Sequence, residues 1–257
     1  VGENTLGKQS LKKGVSMSHI AHNPSAGAGI ADAGWKGLYR VGGAAAMTMA
    51  VFIPLQVLVF VIWPPPGTVT GWFTLFQEHP LVGLLDMDLL LIVDQVLVAL
   101  IMVTLYIVLR RSRQSCMTVA LTLSALGIAA YFASTAAFEM LSLSGEYSAV
   151  TTEAQRATLL AAGQVMLSTW QGTAFSVGYV LEGMGFLLVA IVMLRSTVFG
   201  RKTAYVAILL GVMSLVPPTV GTVGMLFALG SLVPLEIWDV LVARRLLQLG
   251  RDVSKLS

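Results

Sequence analysis

Charge is scarce in this chain. Asp, Glu, Lys and Arg make up 11% of its 257 residues, against roughly 25% in soluble domains, which points to a polytopic membrane protein with little aqueous mass. Cysteine is almost missing too. Cys116 is the only one, so it forms no internal disulfide and belongs to no CxxC metal pattern. The three histidines, His19, His22 and His79, lie outside the apolar runs, which disfavours an intramembrane metal or haem held by histidine. Walker A, GxGxxG, GxSxG and HExxH patterns are all lacking, so neither an enzyme nor a cofactor is expected. The net charge of +3 raises nucleic acid as a partner. The basic residues, however, sit at the ends of apolar runs, where membrane topology explains them.

Long hydrophobic stretches are what the chain has in abundance: 56% of its residues are hydrophobic, and a spanning helix needs about 20 in a row. Six candidate spans follow: about Leu38–Trp63, Leu81–Leu109, Met117–Ser142, Gly172–Leu194, Thr203–Val216 and Thr219–Ala243. The fold class is therefore all-α, a six-span transmembrane bundle at 37–250. A flexible basic segment at 1–36 precedes it and a tail at 251–257 follows. No signal peptide is visible, and Val1 leaves Met17 as an alternative start.

The first span closes at Trp63 and Pro64, Pro65 and Pro66, which cannot continue a helix. Gly71–His79 is short and aromatic and reads as a lid or re-entrant turn at the interface. From Glu153 to Leu194 one helix would be roughly 60 Å long, twice the hydrocarbon thickness. The stretch is therefore split near Trp170–Gly172. Its first part opens on a capping-box pattern, Thr152 to Gln155, and reads as an amphipathic surface helix. Ala125, Ala129, Ala133 and Ala137 form a row of small residues, and Gly178, Gly183 and Gly185 offer a second set for close helix approach.

With six spans and both ends cytoplasmic, the basic residues separate cleanly. Lys8, Lys12, Lys13, Lys36 and Arg40 fall inside with Arg110, Arg111, Arg113, Arg195, Arg201 and Lys202. Arg244, Arg245, Arg251 and Lys255 join them, leaving only Arg156 outside. Ser144 falls outside and Ser112 inside.

Seven of the thirteen acidic residues lie within these apolar stretches: Asp86, Asp88, Asp94, Glu139, Glu182, Glu236 and Asp239. A carboxylate in hydrocarbon costs about 2.5–3.5 kcal/mol even on insertion scales, so these groups are paired, hydrated, protonated or used. Glu182 lies thirteen residues before Arg195, near mid-membrane. It is either a protonated acid bonded to a hydroxyl or a proton or cation carrier. Glu236 and Asp239 share a face below Pro234, which should kink the last helix by removing a donor and clashing with the Gly230 carbonyl. A broken helix beside carboxylates is how many transporters build an ion site. The other reading pairs these acids with a neighbouring helix or the inner interface. Asp88 and Gln95 share a face that Met102 and Tyr106 continue, while Asp86 and Asp94 look elsewhere. Glu139 reads as interfacial.

The stretches IVMLRSTVFGRKTAYVAILLGVMSLVPP, LYRVGGAAAMTMAVFIPLQVLVFVIWPPP and EIWDVLVARRLLQLG carry a likeness. Over roughly Leu38–Gly250 the chain resembles a bacterial family of six-helix integral membrane proteins known only as a domain of unknown function. The resemblance implies six spans and a bacterial inner membrane, but no activity. Two functions are expected from the residues. One is a small proton- or cation-coupled carrier using Glu182, Glu236 and Asp239, with Asp94, Asp88 and Gln95 as further ion-binding candidates. The other is a non-catalytic accessory or scaffold subunit of a membrane complex. The expected partners are the lipid bilayer and, for the second function, other proteins.

Overall fold

The computed structural model describes residues 34–252. Most of the basic N-terminal segment, with His19 and His22, and the tail beyond Asp252 lie outside them. Helix occupies 86% of the described residues and no strand occurs among them, so the protein is all-α.

Helix α1 (Lys36–Ile62) ends at Trp63, ahead of the three prolines. Helix α2 (Val69–Glu78) is capped by the Thr68 hydroxyl, which accepts from Gly71 N at 3.1 Å. Helix α3 (Pro80–Leu84) runs through a π turn (Leu85–Leu89) into α4 (Leu90–Phe132). Helix α4 has two legs, 90–112 and 114–132, because Arg113 leaves helical geometry at φ −155°, ψ 84°. Gln95 of the first leg and Gly127 of the second would be about 48 Å apart in a straight helix. Both touch Glu182, so the chain doubles back at Arg113. Helices α5 (Ala137–Ala149), α6 (Glu153–Trp170), α7 (Thr173–Arg195), α8 (Arg201–Met213) and α9 (Gly221–Asp252) complete the order. Gly221 opens α9 at φ +60°, a left-handed conformation that favours glycine, just after Pro217 and Pro218.

The long helices close into a ring: α1 against α4, α4 against α7, α7 against α8, α8 against α9, and α9 back against α1. Their core includes Met102, Leu105, Met117, Val189, Met193, Trp238 and Leu246. A second, smaller core holds α2, α5 and α6 together as a cap, around Trp72, Phe73, Phe76, Met87 and Met140. Leu160, Leu167 and Trp170 of α6 pack on it, one face of an amphipathic helix as the spacing predicts. The Thr152 hydroxyl caps α6 by accepting from Gln155 N at 3.4 Å. The outer faces of the ring are apolar. Val51, Leu55, Leu58 and Val61 of α1 and Leu226, Leu229, Val233 and Ile237 of α9 are exposed, the inside-out pattern of a helix that meets lipid. Among the described residues, four helical stretches are long and apolar enough to cross a membrane: Lys36–Ile62, Pro80–Ala149, Glu153–Arg195 and Gly221–Asp252. The middle two are compound, divided by the breaks just described.

Helix α8 spans 13 residues, about 20 Å of rise against the ~30 Å of a hydrocarbon core, which makes Thr203–Val216 the shortest of the candidate spans. Three expectations are corrected. Helix α9 continues across Pro234, so the broken helix expected beside Glu236 and Asp239 does not form. A membrane helix tolerates the lost donor where neighbouring groups re-satisfy the backbone. Gly71–Glu78 is helix rather than turn: it lies in α2, whose Trp72, Phe73 and Phe76 are buried in the cap, and His79 closes it. Ala125, Ala129 and Ala133 are exposed; the buried face of that leg is Met117, Ala120, Ser124, Gly127 and Tyr131. Gly127 displaces the alanine row because it lets backbones touch: a Cβ there would lie 2.8 Å from the Gly178 carbonyl oxygen. Gly183 and Gly185 do serve as expected, against Ser214 and Ser124.

Candidate functional site: buried carboxyls inside the helix ring

Asp88 is the best-satisfied acid. Its Oδ2 accepts from the Ala136 and Ala137 amides at 2.7 and 2.6 Å, and its Oδ1 from the Trp170 indole at 2.9 Å. The two amides belong to the start of α5, whose first donors have no helical partner of their own. Trp170 ends α6 and also donates to the Met87 carbonyl at 3.1 Å. Asp88 thus ties the ring to the cap, with both of its oxygens engaged. Glu139 is exposed on α5.

The other acids lie deeper and are nearly bare. Asp239 is 1% exposed, and neither of its carboxyl oxygens has a protein hydrogen-bond partner. It is within electrostatic reach of Glu236, on its own helix, and of Asp94 on α4. Oδ1 of Asp94 and Oε1 of Glu236 are likewise buried without a partner. Gln56 of α1 lies beside Asp94, but its amide nitrogen falls short of a well-formed hydrogen bond. The Trp238 indole nitrogen is also unpartnered, with its ring edge-on to Phe186 at 5.2 Å. A buried polar group left unpaired costs about 1–3 kcal/mol, so such a concentration is kept against stability.

Glu182 occupies the next position around the ring. It faces inward, partly buried, with its Cγ 2.8 Å from where a Cβ on Gly127 would stand. Gln95 donates to its Oε2 at 3.5 Å. Asp94 and Gln95 are consecutive on α4, so one looks to α1 and α9 and the other to α7. Asp94 therefore belongs with Asp239, while Glu182 meets Gln95. Tyr131 is 5% exposed with its hydroxyl unpartnered, in electrostatic reach of Asp88, Asp94 and Glu182. Tyr179 also reaches Glu182 and lies beside the Ser214 and Ser231 hydroxyls. Asp86 stands apart in the π turn, 2% exposed with both oxygens unpartnered.

The arrangement places Glu236 and Asp94 near Asp239 and Gln95 beside Glu182, and sends Asp88 to the cap. Among the described residues no three His, Cys, Asp or Glu side chains come close enough to hold a metal ion. Gln56, Tyr131, Tyr179, Ser214, Ser231 and Trp238 were missed from sequence. Gln56 carried a usable signal, an amide inside an otherwise apolar run. The basic residues gather at the opposite end from the cap: Arg110 stacks over Trp35 at 5.7 Å, Arg245 donates to the Val198 carbonyl, and Arg40 packs at Gly250. Scanned against family models, curated proteins and solved structures, the chain matches none.

Proposed function

We propose that this chain is a six-span protein of a bacterial inner membrane, with both termini cytoplasmic, that carries protons or a small cation through its ring of helices. The segregation of basic residues to one end supports the orientation. In this count α8 is the shortest span, aided by the loops beside it. The observation that carries the functional reading is Asp239, sealed from solvent, unpartnered at both oxygens, and facing two other acids from two helices. Buried acids inside a membrane mark proton relays and ion pathways. The acids stand singly rather than as a ligand set, and a lone carboxyl takes up a proton without help, whereas a dehydrated cation needs several oxygens. Protons are therefore the first ion to test.

In proteoliposomes holding a pH-sensitive dye, with a potassium diffusion potential imposed, the protein is expected to pass protons. Glu182→Gln and Asp239→Asn should keep the fold and lower the flux roughly 100-fold, the scale of a lost acid–base group. Unchanged flux in both variants, or no wild-type flux of protons, sodium or potassium above empty liposomes, would favour the second reading, an accessory subunit of a membrane complex. The observation on that side is a cavity of about 480 Å³ on the cap, lined by Leu143, Ala162, Val165 and Met166 with Glu139 and Ser142. Purification from native membranes as a stable hetero-complex would support it.

A further inference from the structure

The proton reading requires a way for protons to reach Glu182. On the cap side of Glu182, α7 carries Tyr179 one turn earlier and Ser176 two turns earlier, about 4.5 and 9 Å along the helix. The Ser176 hydroxyl is 2.8 Å from that of Thr219, which is exposed at the mouth between α8 and α9. The next hydroxyls inward are those of Ser214, at the end of α8, and Ser231 on α9, both buried. Each donates to its own helix, Ser214 to the Leu210 carbonyl at 2.9 Å and Ser231 to the Ala228 carbonyl at 2.7 Å, so each turns its O–H off that carbonyl to donate to Tyr179. Tyr179 lies beside both and reaches Glu182. Tyr131 reaches Glu182 from the other side, and Phe175 separates the two tyrosines, with ring centroids 6.0 Å from Tyr131 and 6.5 Å from Tyr179.

We propose that protons enter from the cap end along a hydroxyl path, Ser176 and Thr219, then Ser214 and Ser231, with Tyr179 passing each proton to Glu182. Tyr179 gives its hydroxyl proton to the Glu182 carboxylate and takes one from the serine side, which is replenished from water at the mouth. The tyrosine ends each transfer neutral, and no bond other than O–H breaks or forms. The groups facing Glu182 are Gln95 and Tyr131 from α4 and Tyr179 from its own helix. Only Tyr179 connects to hydroxyls that lead outward. Tyr131 faces Asp88, whose oxygens are already taken by the cap.

This inference rests on the proton reading, and its test is read separately from transport. After a rapid pH drop, infrared absorbance of the protonated Glu182 carbonyl, assigned as the band missing in Glu182→Gln, reports how fast the site fills. Tyr179→Phe should slow that rise roughly tenfold or more, while Tyr131→Phe should leave it within about twofold. Ser231→Ala should slow it in the same direction and stands in if Tyr179→Phe folds poorly. A wild-type rate in Tyr179→Phe, equal slowing in both tyrosine variants, or a Glu182 band that never changes with pH would overturn the path. Tyr179-dependent filling without any proton flux in liposomes would uphold the path and overturn the carrier reading.

Discussion

Asp86 and Asp88 lie two residues apart, are equally buried, and have opposite standing. Asp88 accepts three hydrogen bonds and Asp86 none. Hydrogen bonds to a charged group are worth about 1.5–3 kcal/mol each at most, and orphaning the donors adds to the loss. Asp88→Asn should therefore lower stability by about 2–3 kcal/mol, read as an earlier thermal transition of tryptophan fluorescence in detergent. Asp86→Asn should change it by less than about 1 kcal/mol, because no donor in the protein loses its partner. If Asp86→Asn proves the more damaging, Asp88 is not the tie between ring and cap. Sequence depth alone picked out both residues as intramembrane acids. It had no means of separating them, since the donors to Asp88 lie 48, 49 and 82 residues away.

Between helices, glycine decides where α4 and α7 meet. A Cβ on Gly178 would stand 2.8 Å from the Gly127 carbonyl oxygen, backbone that has nowhere to move. Gly178→Ala should cost about 1–3 kcal/mol by overpacking, whereas Ala129→Leu on the exposed face should be tolerated. Thermal unfolding of the two variants in the same detergent checks this, and the reverse order would move the interface back to the alanine row. Helix ends were legible from sequence wherever local chemistry sets them: the prolines after α1, the Thr152 cap of α6, the break between Trp170 and Thr173. The cap was not, because α2, α5 and α6 are brought together only by tertiary packing of Trp72, Phe73 and Met140. Nor was the intact α9. Proline's local cost argues for a break, but the run of helix on either side of Pro234 outweighs it.

For the molecule as a whole, the orientation can be read with single cysteines in a Cys116→Ser background. Ser144 is an unsuitable reporter, since it is 1% exposed and its hydroxyl donates to the Phe73 carbonyl at 3.4 Å. Ser148, exposed on the same helix, should as cysteine react with an impermeant thiol reagent from outside. A cysteine at the exposed Ser112, beside Arg111, should react only after the membrane is opened. The opposite labelling would invert the topology. The closed ring also sets an order of manufacture. Helix α9 seals the gap between α8 and α1, and it leaves the ribosome after both of them. Until it inserts, Gln56 and Asp94 stand at an open seam toward lipid, and a chain stopped after Met213 keeps them there. The newborn protein is thus at its most vulnerable before α9 inserts, when a membrane protease or an insertion chaperone has its best hold on it.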